Sequence, residues 1–112
     1  MSTILPTDDY DRAIPALRFK QNGSHQVSVS GVSSRNVTAF SDDTVVVSLY
    51  ASVPVFIAFG DDTVTADSSD HYFPAGVYYD VSIGDSSGRT HYTHIAAVVA
   101  DADGAIYISE KQ

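Results

Sequence analysis

The chain has 112 residues, 44% of them hydrophobic and 18% charged, which is enough for one hydrophobic core but not for two. Its 14 acidic and 6 basic residues give a net charge of −8, which argues against nucleic acid as the main partner because phosphate binding requires clustered Lys and Arg. There is no cysteine and no apolar run approaching ~20 residues, so we expect no disulfide, no thiolate metal site and no membrane helix.

The first 12 residues have neither a strand period nor a helix period. Ile4, Leu5 and Tyr10 lie there among proline and aspartate residues, a composition typical of an extended arm. The segment also lacks the basic start and the apolar stretch of a signal peptide. We therefore expect an extended N-terminal arm over residues 1–12, reaching onto a neighbouring molecule, and one domain over residues 13–112.

The rest of the chain is rich in Val, Thr, Ser, Tyr and Phe, which favour strands over helices. Short apolar runs recur roughly every 8 to 15 residues with turn residues between them, which predicts an all-β sandwich or barrel. About eight strands are predicted, over residues 13–20, 25–30, 37–40, 44–50, 55–60, 77–83, 94–100 and 105–109.

The residues between these strands predict how the strands connect. Asn22-Gly23 can adopt the positive φ angles of a tight hairpin turn. The sequence Asp-Ala-Asp-Gly at 101–104 predicts a second hairpin between the last two strands. Pro15 cannot donate a ladder hydrogen bond, which predicts that the first strand lies at a sheet edge.

Two predicted strands differ from the usual alternation of apolar and polar residues. The strand over 77–83 follows the usual pattern, with one apolar face formed by Val77, Tyr79, Val81 and Ile83. The strands over 55–60 and 94–100 are apolar on both faces, although a sandwich buries only the inner face of each sheet. Their outer faces must be covered by a loop of the same chain, by the arm or by another subunit. We predict an interface formed by Phe56, Ala58, Ala96 and Val98, with Ile4, Leu5 and Tyr10 of the arm.

The histidines, acidic residues and serines do not match the spacing of a known metal or catalytic site. His91 and His94 are three positions apart, which places them on opposite faces of a strand, so we expect no metal site. The aspartates of residues 61–70 lack the ordered spacing of a calcium loop and are interpreted as turn residues. There is no serine nucleophile elbow and no glycine-rich phosphate loop, and Glu110 is the single glutamate. We predict that the protein is not an enzyme, with no catalytic residue and no cofactor.

The seven tyrosines and five phenylalanines leave a carbohydrate-binding alternative open. Tyr72-Phe73 and Tyr78-Tyr79 lie on either side of the predicted turn over 74–76, near enough in sequence to form one aromatic platform. A glycan-binding adhesion module is therefore an alternative function, which substitution of Tyr72 or Tyr78 by alanine would test.

Residues 25–110 resemble a recurring pattern in small virion proteins of tailed bacteriophages and prophages. A Val-rich strand over 44–50 leads to Phe-Ile-Ala-Phe-Gly-Asp at 56–61, and Phe-Pro-Ala-Gly follows at 73–76. The pattern closes with Ile-Ala-Ala-Val-Val at 95–99 and Gly-Ala-Ile-Tyr-Ile at 104–108. The resemblance implies a single antiparallel β-sandwich, jelly-roll-like, with a structural role in a phage particle.

On that resemblance we expect a capsid decoration (cement) protein on the exterior of the virion, assembled in the host cytoplasm. Proteins of this type form homo-oligomers, commonly trimers, so the expected partners are further copies of the chain and the phage major capsid protein. The net negative charge agrees with a position away from packaged DNA. Neither nucleic acid nor a membrane is an expected partner. A neck or tail component remains an alternative.

Overall fold

The computed structural model describes residues 17–84 and 91–112. Within these ranges the chain forms eight β-strands and no helix, so none of the described segments is a helix that could cross a membrane. The strands are β1 (Phe19–Val29), β2 (Ser34–Arg35), β3 (Val46–Ala51), β4 (Val55–Gly60), β5 (His71–Phe73), β6 (Tyr78–Ser82), β7 (His94–Val99) and β8 (Gly104–Lys111). The predicted all-β class is confirmed.

The eight strands form two antiparallel sheets of four. Sheet 1 has the order β1-β8-β3-β6 and sheet 2 has the order β2-β7-β4-β5. The chain pairs β1 with β8, β2 with β7, β3 with β6 and β4 with β5, as one long hairpin would. Additional pairing of β3 with β8 and of β4 with β7 rolls this hairpin into two layers. This is the strand order of an eight-stranded jelly roll, so the predicted jelly-roll-like sandwich is confirmed.

One hydrophobic core joins the two sheets. In each central strand every second side chain points into it, as the pleat of a strand requires. The core residues of sheet 1 include Val27, Val29, Val47, Leu49, Ala51, Ile106 and Ile108, and those of sheet 2 include Val55, Ile57, Phe73, Ile95 and Ala97. The side chains between them point outward and form the outer surfaces of the two sheets.

The hairpin predicted at Asn22-Gly23 is wrong. Strand β1 continues through these residues as a β-bulge, with Asn22 at a φ of 64°. Because Phe19 is opposite Lys111 and Ser24 is opposite Ser109, the residues 20–23 all face one residue of β8, Glu110. A Cβ on Gly23 would lie 2.8 Å from the Glu110 Cβ, so the glycine allows this close approach.

The hairpin predicted at residues 101–104 is also wrong, because β7 belongs to sheet 2 and β8 to sheet 1. The segment carries the chain from one layer of the sandwich to the other. The strand predicted over 37–40 does not form: Val37 is 98% exposed, and only Phe40 of this segment reaches the core. The two shortest strands, β2 and β5, were not predicted.

The edge positions follow from the strand order. β1 is an edge strand of sheet 1, whereas Pro15, from which an edge position was predicted for a strand over 13–20, lies outside the described residues. The predicted arm, with Ile4, Leu5 and Tyr10, lies outside them too. β6 is the other edge of sheet 1, so its apolar face is only partly covered: Ile83 is fully buried, but Tyr79 is 57% exposed.

Candidate interaction surfaces

The two strands predicted to be apolar on both faces are the central strands of sheet 2. In β4, Val55 and Ile57 point into the core, which leaves Phe56 and Ala58 on the outer face. In β7 the same alternation leaves Ala96 and Val98 on the outer face, where Phe56 is opposite Val98 and Ala58 is opposite Ala96. The four residues predicted from alternation therefore lie side by side on one surface.

A loop of the same chain covers one half of that surface. Ala96 is fully buried although it is not part of the core between the sheets. The covering segment is the loop over residues 61–70. A Cβ on Gly60 would lie 3.0 Å from the Val64 Cβ, and the Val64 carbonyl accepts a hydrogen bond from the Arg35 guanidinium at 3.3 Å. Ala96 therefore has no exposed surface that it could offer to a partner.

The same loop is attached to the opposite edge of sheet 2. The backbone N–H of Ala66 donates to the Ser33 hydroxyl at 2.8 Å, immediately before β2. Ala66 itself is 8% exposed. The loop therefore begins at the end of β4 and reaches the start of β2, and it lies over the outer face between these strands.

The aspartates of this loop form its turns, as the sequence indicated. The Asp61 carboxylate accepts from the hydroxyl and the backbone N–H of Thr63, at 2.6 and 2.9 Å. Asp67 accepts from the hydroxyl and the backbone N–H of Ser69, and the Asp70 carboxylate accepts from the Asp67 N–H at 2.8 Å. The hydrogen bonds from the hydroxyls, and to a smaller extent those from the backbone N–H groups, hold the pKa values of Asp61 and Asp67 below the ordinary value.

The other half of the sheet 2 surface is partly exposed, and we call it the Phe56 row, after its members Val98, Phe56 and Tyr72. The register places Val98 and Tyr72 on either side of Phe56. The rings of Phe56 and Tyr72 meet edge to face with centroids 5.7 Å apart, and Tyr72 is 58% exposed. The next residues toward that end of the sheet are also apolar and at least partly exposed: Pro54, Pro74 and Ala100.

The outer face of sheet 1 carries a second aromatic surface, the tyrosine row, formed by Tyr107, Tyr50 and Tyr78. They lie opposite one another on β8, β3 and β6. The ring centroid of Tyr50 is 6.0 Å from that of Tyr78 and 6.4 Å from that of Tyr107. Tyr78 is 57% and Tyr107 is 44% exposed, and Gln26 of β1 extends the row beyond Tyr107.

The single aromatic platform that the sequence suggested does not form. Tyr72 lies on the outer face of sheet 2, Tyr78 lies on the outer face of sheet 1, and Phe73 points into the core. The turn over 74–76 carries the chain from one sheet to the other, so residues near in sequence face opposite sides. Tyr50 and Tyr107 were not predicted to join a surface. The sequence does contain a pattern that indicates their orientation. Each of the two tyrosines lies between two core residues of its strand, so its side chain must point outward.

A polar row lies beside the tyrosine row. The Asp80 carboxylate accepts hydrogen bonds from the Ser48 hydroxyl at 2.7 Å and from the Lys111 ammonium at 3.0 Å. The bond from Ser48, and then that from Lys111, lowers the pKa of Asp80. The Lys111 ammonium also lies 5.4 Å from the ring centroid of Phe19. The Asp80 carboxylate is therefore paired within the row, with Ser48 and with Lys111.

A buried polar cluster lies inside the sandwich, centred on Glu110. Its carboxylate accepts from the Thr44 hydroxyl at 2.6 Å and the Ser41 N–H at 2.8 Å, and it contacts the His25 Nε2 at 2.7 Å. Burial raises the pKa of Glu110, but the bonds from Thr44, His25 and Ser41 together outweigh it, so that the pKa lies below its ordinary value. The His25 and Glu110 side chains are only 9% and 4% exposed. The cluster therefore ties β1, β8 and the 41–44 turn together.

The other histidines have separate surroundings. The His91 Nε2 lies 2.7 Å from the Thr44 carbonyl oxygen. The His94 Nδ1 lies 2.8 Å from the Thr93 hydroxyl, and His94 lines an open cleft with Arg35. Within residues 17–84 and 91–112, no group of three or more His, Asp or Glu side chains is arranged to hold a metal ion.

Comparison of the chain with protein-family models, with curated proteins and with solved structures found no match. The strand order alone does not select a function, because jelly rolls serve capsid proteins, lectins and cupins alike. The features that bear on function are therefore the Phe56 row, the tyrosine row and the sequence pattern of residues 25–110.

Proposed function

We propose that this is a non-enzymatic structural protein that acts by docking, as a decoration (cement) protein on the exterior of a phage capsid. The observation that carries the proposal is the Phe56 row, an apolar outer surface beside the loop over 61–70 on which Tyr72 is 58% exposed and Phe56 and Val98 are partly exposed. The resemblance of residues 25–110 to virion proteins and the jelly-roll strand order support the same reading.

The Phe56 row has the composition of an interface centre. Aromatic side chains dominate binding energy at interfaces when they lie in a patch from which water is excluded. Phe56 is half-buried and Tyr72 is exposed, so a partner surface laid on them would complete their burial. A stable pair buries about 800 Å² on each partner. Three residues are too few for that area, so we assign the remaining contact to the arm with Ile4, Leu5 and Tyr10 and to Ala58, which stays partly exposed beside the loop.

The proposed partners are two further copies of the chain and the major capsid protein. A trimer at a local three-fold position would repeat the same contact around the axis, which multiplies a modest pairwise affinity. The net charge of −8 keeps the free protein soluble before assembly and suits the outer surface of a shell that holds DNA.

The experiment uses virions of the phage that encodes the chain. Quantitative mass spectrometry of purified particles is expected to find the protein in a copy number comparable to that of the major capsid protein. A copy number of only a few per particle would contradict decoration and favour the neck or tail alternative. Absence of the protein from the particles would refute a virion role.

A matched pair of variants tests the docking surface on particles that lack the protein. Phe56→Ser removes the central aromatic ring of the Phe56 row. Val37→Ser removes an apolar side chain that is 98% exposed beside the Gly60 end of sheet 2, away from the row. Added back to the particles, the Val37→Ser variant should bind like the wild type and the Phe56→Ser variant should bind more weakly. Equal binding by the two variants would exclude the Phe56 row as the attachment surface.

A further inference from the structure

We propose that the tyrosine row is a binding platform for a neutral oligosaccharide, which would give the protein a second, glycan-binding function on the face opposite the Phe56 row. Three aromatic rings follow one another across β8, β3 and β6 at centroid separations of 6.4 and 6.0 Å. Sugar rings bind proteins by laying their apolar faces on aromatic side chains, and a row of rings offers successive sugars successive contacts.

Hydroxyl groups flank this row on both sides. On one side the register places Ser24, Ser109 and Asp80 along the row, and Ser48, which lies between Ser109 and Asp80, is buried and donates its hydroxyl to Asp80. On the other side Ser28 lies opposite Ala105, whose backbone is hydrogen-bonded to the Ser52 hydroxyl at 3.0 Å. Ser24, Ser28, Ser52 and Gln26 are exposed. A saccharide on the rings would therefore find donors and acceptors for its own hydroxyl groups along both of its edges.

This composition favours a sugar over a protein partner. Protein interfaces are enriched in aromatic residues but depleted of serine, and their centres are broadly apolar. The Phe56 row has a broadly apolar surround, because its neighbours Pro54, Pro74 and Ala100 carry no polar side chain. The tyrosine row is a single line of rings between lines of mostly polar residues, so little apolar surface continues beyond the rings on either side.

The charges of the face favour a neutral saccharide. The cation beside the tyrosine row is Lys111, and its ammonium already contacts both oxygens of Asp80 at 3.0 and 3.2 Å. The pair leaves no net positive charge at this position, and the chain as a whole carries a net charge of −8. An acidic sugar would be repelled, whereas neutral hydroxyl groups can bond to the exposed oxygens of Asp80, whose side chain is 49% exposed.

The test titrates the full-length protein with neutral tetrasaccharides of glucose, mannose and N-acetylglucosamine in α and β linkage. Binding is measured by isothermal titration calorimetry and located by NMR chemical-shift changes. We expect at least one of these probes to bind, with shift changes confined to β8, β3 and β6. Tyr78→Ala and Tyr107→Ala should each weaken that binding by about two- to tenfold, as loss of one aromatic contact predicts. Tyr78→Phe, which keeps the ring, should bind nearly like the wild type.

Tyr72→Ala is the matched control, because Tyr72 is 58% exposed against 57% for Tyr78 but lies on the other sheet. It should leave saccharide binding unchanged. The proposal is overturned if none of the probes binds, if shift changes map to sheet 2, or if Tyr72→Ala abolishes binding while Tyr78→Ala does not. It is also overturned if Tyr78→Ala disrupts self-association and the probes do not bind, which would make this face a contact between copies. The shift changes locate the site in the wild type even where a variant fails to fold.

Discussion

The buried carboxylate of Glu110 offers the sharpest test of how this fold is held together. Glu110→Gln keeps the shape of the side chain but removes its charge and replaces one accepting oxygen by an amide group. In the wild type both oxygens accept, from Thr44 and Ser41 on one side and from His25 on the other. The amide N–H would therefore face a donor at one of these positions, and one donor would lose its partner.

The expected loss in the free energy of unfolding follows from the hydrogen bonds that Glu110→Gln removes. A hydrogen bond to a charged group contributes about 1.5–3 kcal/mol, and a buried donor left without its partner costs about 1–3 kcal/mol. Because glutamine still supplies one acceptor, we expect the free energy of unfolding to fall by about 2–4 kcal/mol. A domain of this size has a total free energy of unfolding of about 5–15 kcal/mol, so the variant should fold but with a clearly lower unfolding midpoint.

The effect should depend on pH in a defined direction. The pKa of Glu110 in the folded protein lies below the ordinary value of 4.5, so the unfolded chain takes up this proton more readily. The stabilisation is therefore fully present above about pH 4.5 and is lost as the pH falls through the folded-state pKa. The difference between wild type and Glu110→Gln should be largest near pH 7 and should shrink below about pH 4.5.

Urea unfolding followed by circular dichroism at both pH values measures this difference. The control is Asp43→Asn, since Asp43 is a carboxylate paired with Lys20 at 2.6 Å whose side chain is 79% exposed. Its midpoint should stay close to that of the wild type. Equal midpoints for Glu110→Gln and Asp43→Asn, or a difference that grows on acidification, would refute the role assigned to the buried cluster.

Three further predictions follow from close approaches and from the sequence. Gly23→Ala should cost about 1–3 kcal/mol in urea unfolding, because the added Cβ would lie 2.8 Å from the Glu110 Cβ, and an unchanged midpoint would contradict the bulge. Gly60→Ala should displace the loop over 61–70, since its Cβ would meet a loop side chain at 3.0 Å. Faster amide hydrogen exchange in the loop is the expected signature, and unchanged exchange would argue against close packing there. Deletion of residues 1–12 should leave folding intact and lower the occupancy of the protein on particles, whereas unchanged occupancy would remove the arm from the proposed mechanism.

The strands that the sequence located well are those with a strong local pattern. Residues 55–60 match β4 in both bounds, and residues 94–100 match β7 to within one residue. Their apolar residues on both faces also indicated that something covers the outer side. This prediction of a covered outer face is correct for one half of sheet 2, where the loop over 61–70 covers Ala96. The apolar residues Val64 and Ala66 within an otherwise acidic loop were the available signal.

The pairing of strands could not be read from local turn residues. Asn22-Gly23 has the composition of a hairpin turn, yet its conformation is set by Glu110, a residue at the far end of the chain. The segment over 101–104 has the composition of a turn and does turn, but between sheets, because the jelly roll pairs the first strand with the last. Neighbouring strands pair often enough that a hairpin was the natural prediction.

The surfaces were the least predictable part, because they depend on register between distant strands. Tyr50, Tyr78 and Tyr107 belong to three strands whose alignment no single stretch of sequence specifies. Tyr72 and Tyr78 are close in sequence but face opposite sides of the sandwich. Alternation alone assigned Phe56 and Val98 to one face correctly, since both lie in strands flanked by core residues.

The measurement that bears most directly on the proposed function is the mass of the protein in solution. Sedimentation equilibrium over a series of concentrations should give a trimer for the wild type and for Val37→Ser. Phe56→Ser should shift the same equilibrium toward the monomer, because the ring lost is the centre of the open apolar surface on sheet 2. A wild-type protein that is monomeric at every concentration, or a Phe56→Ser variant that associates as the wild type does, would contradict assembly through this surface.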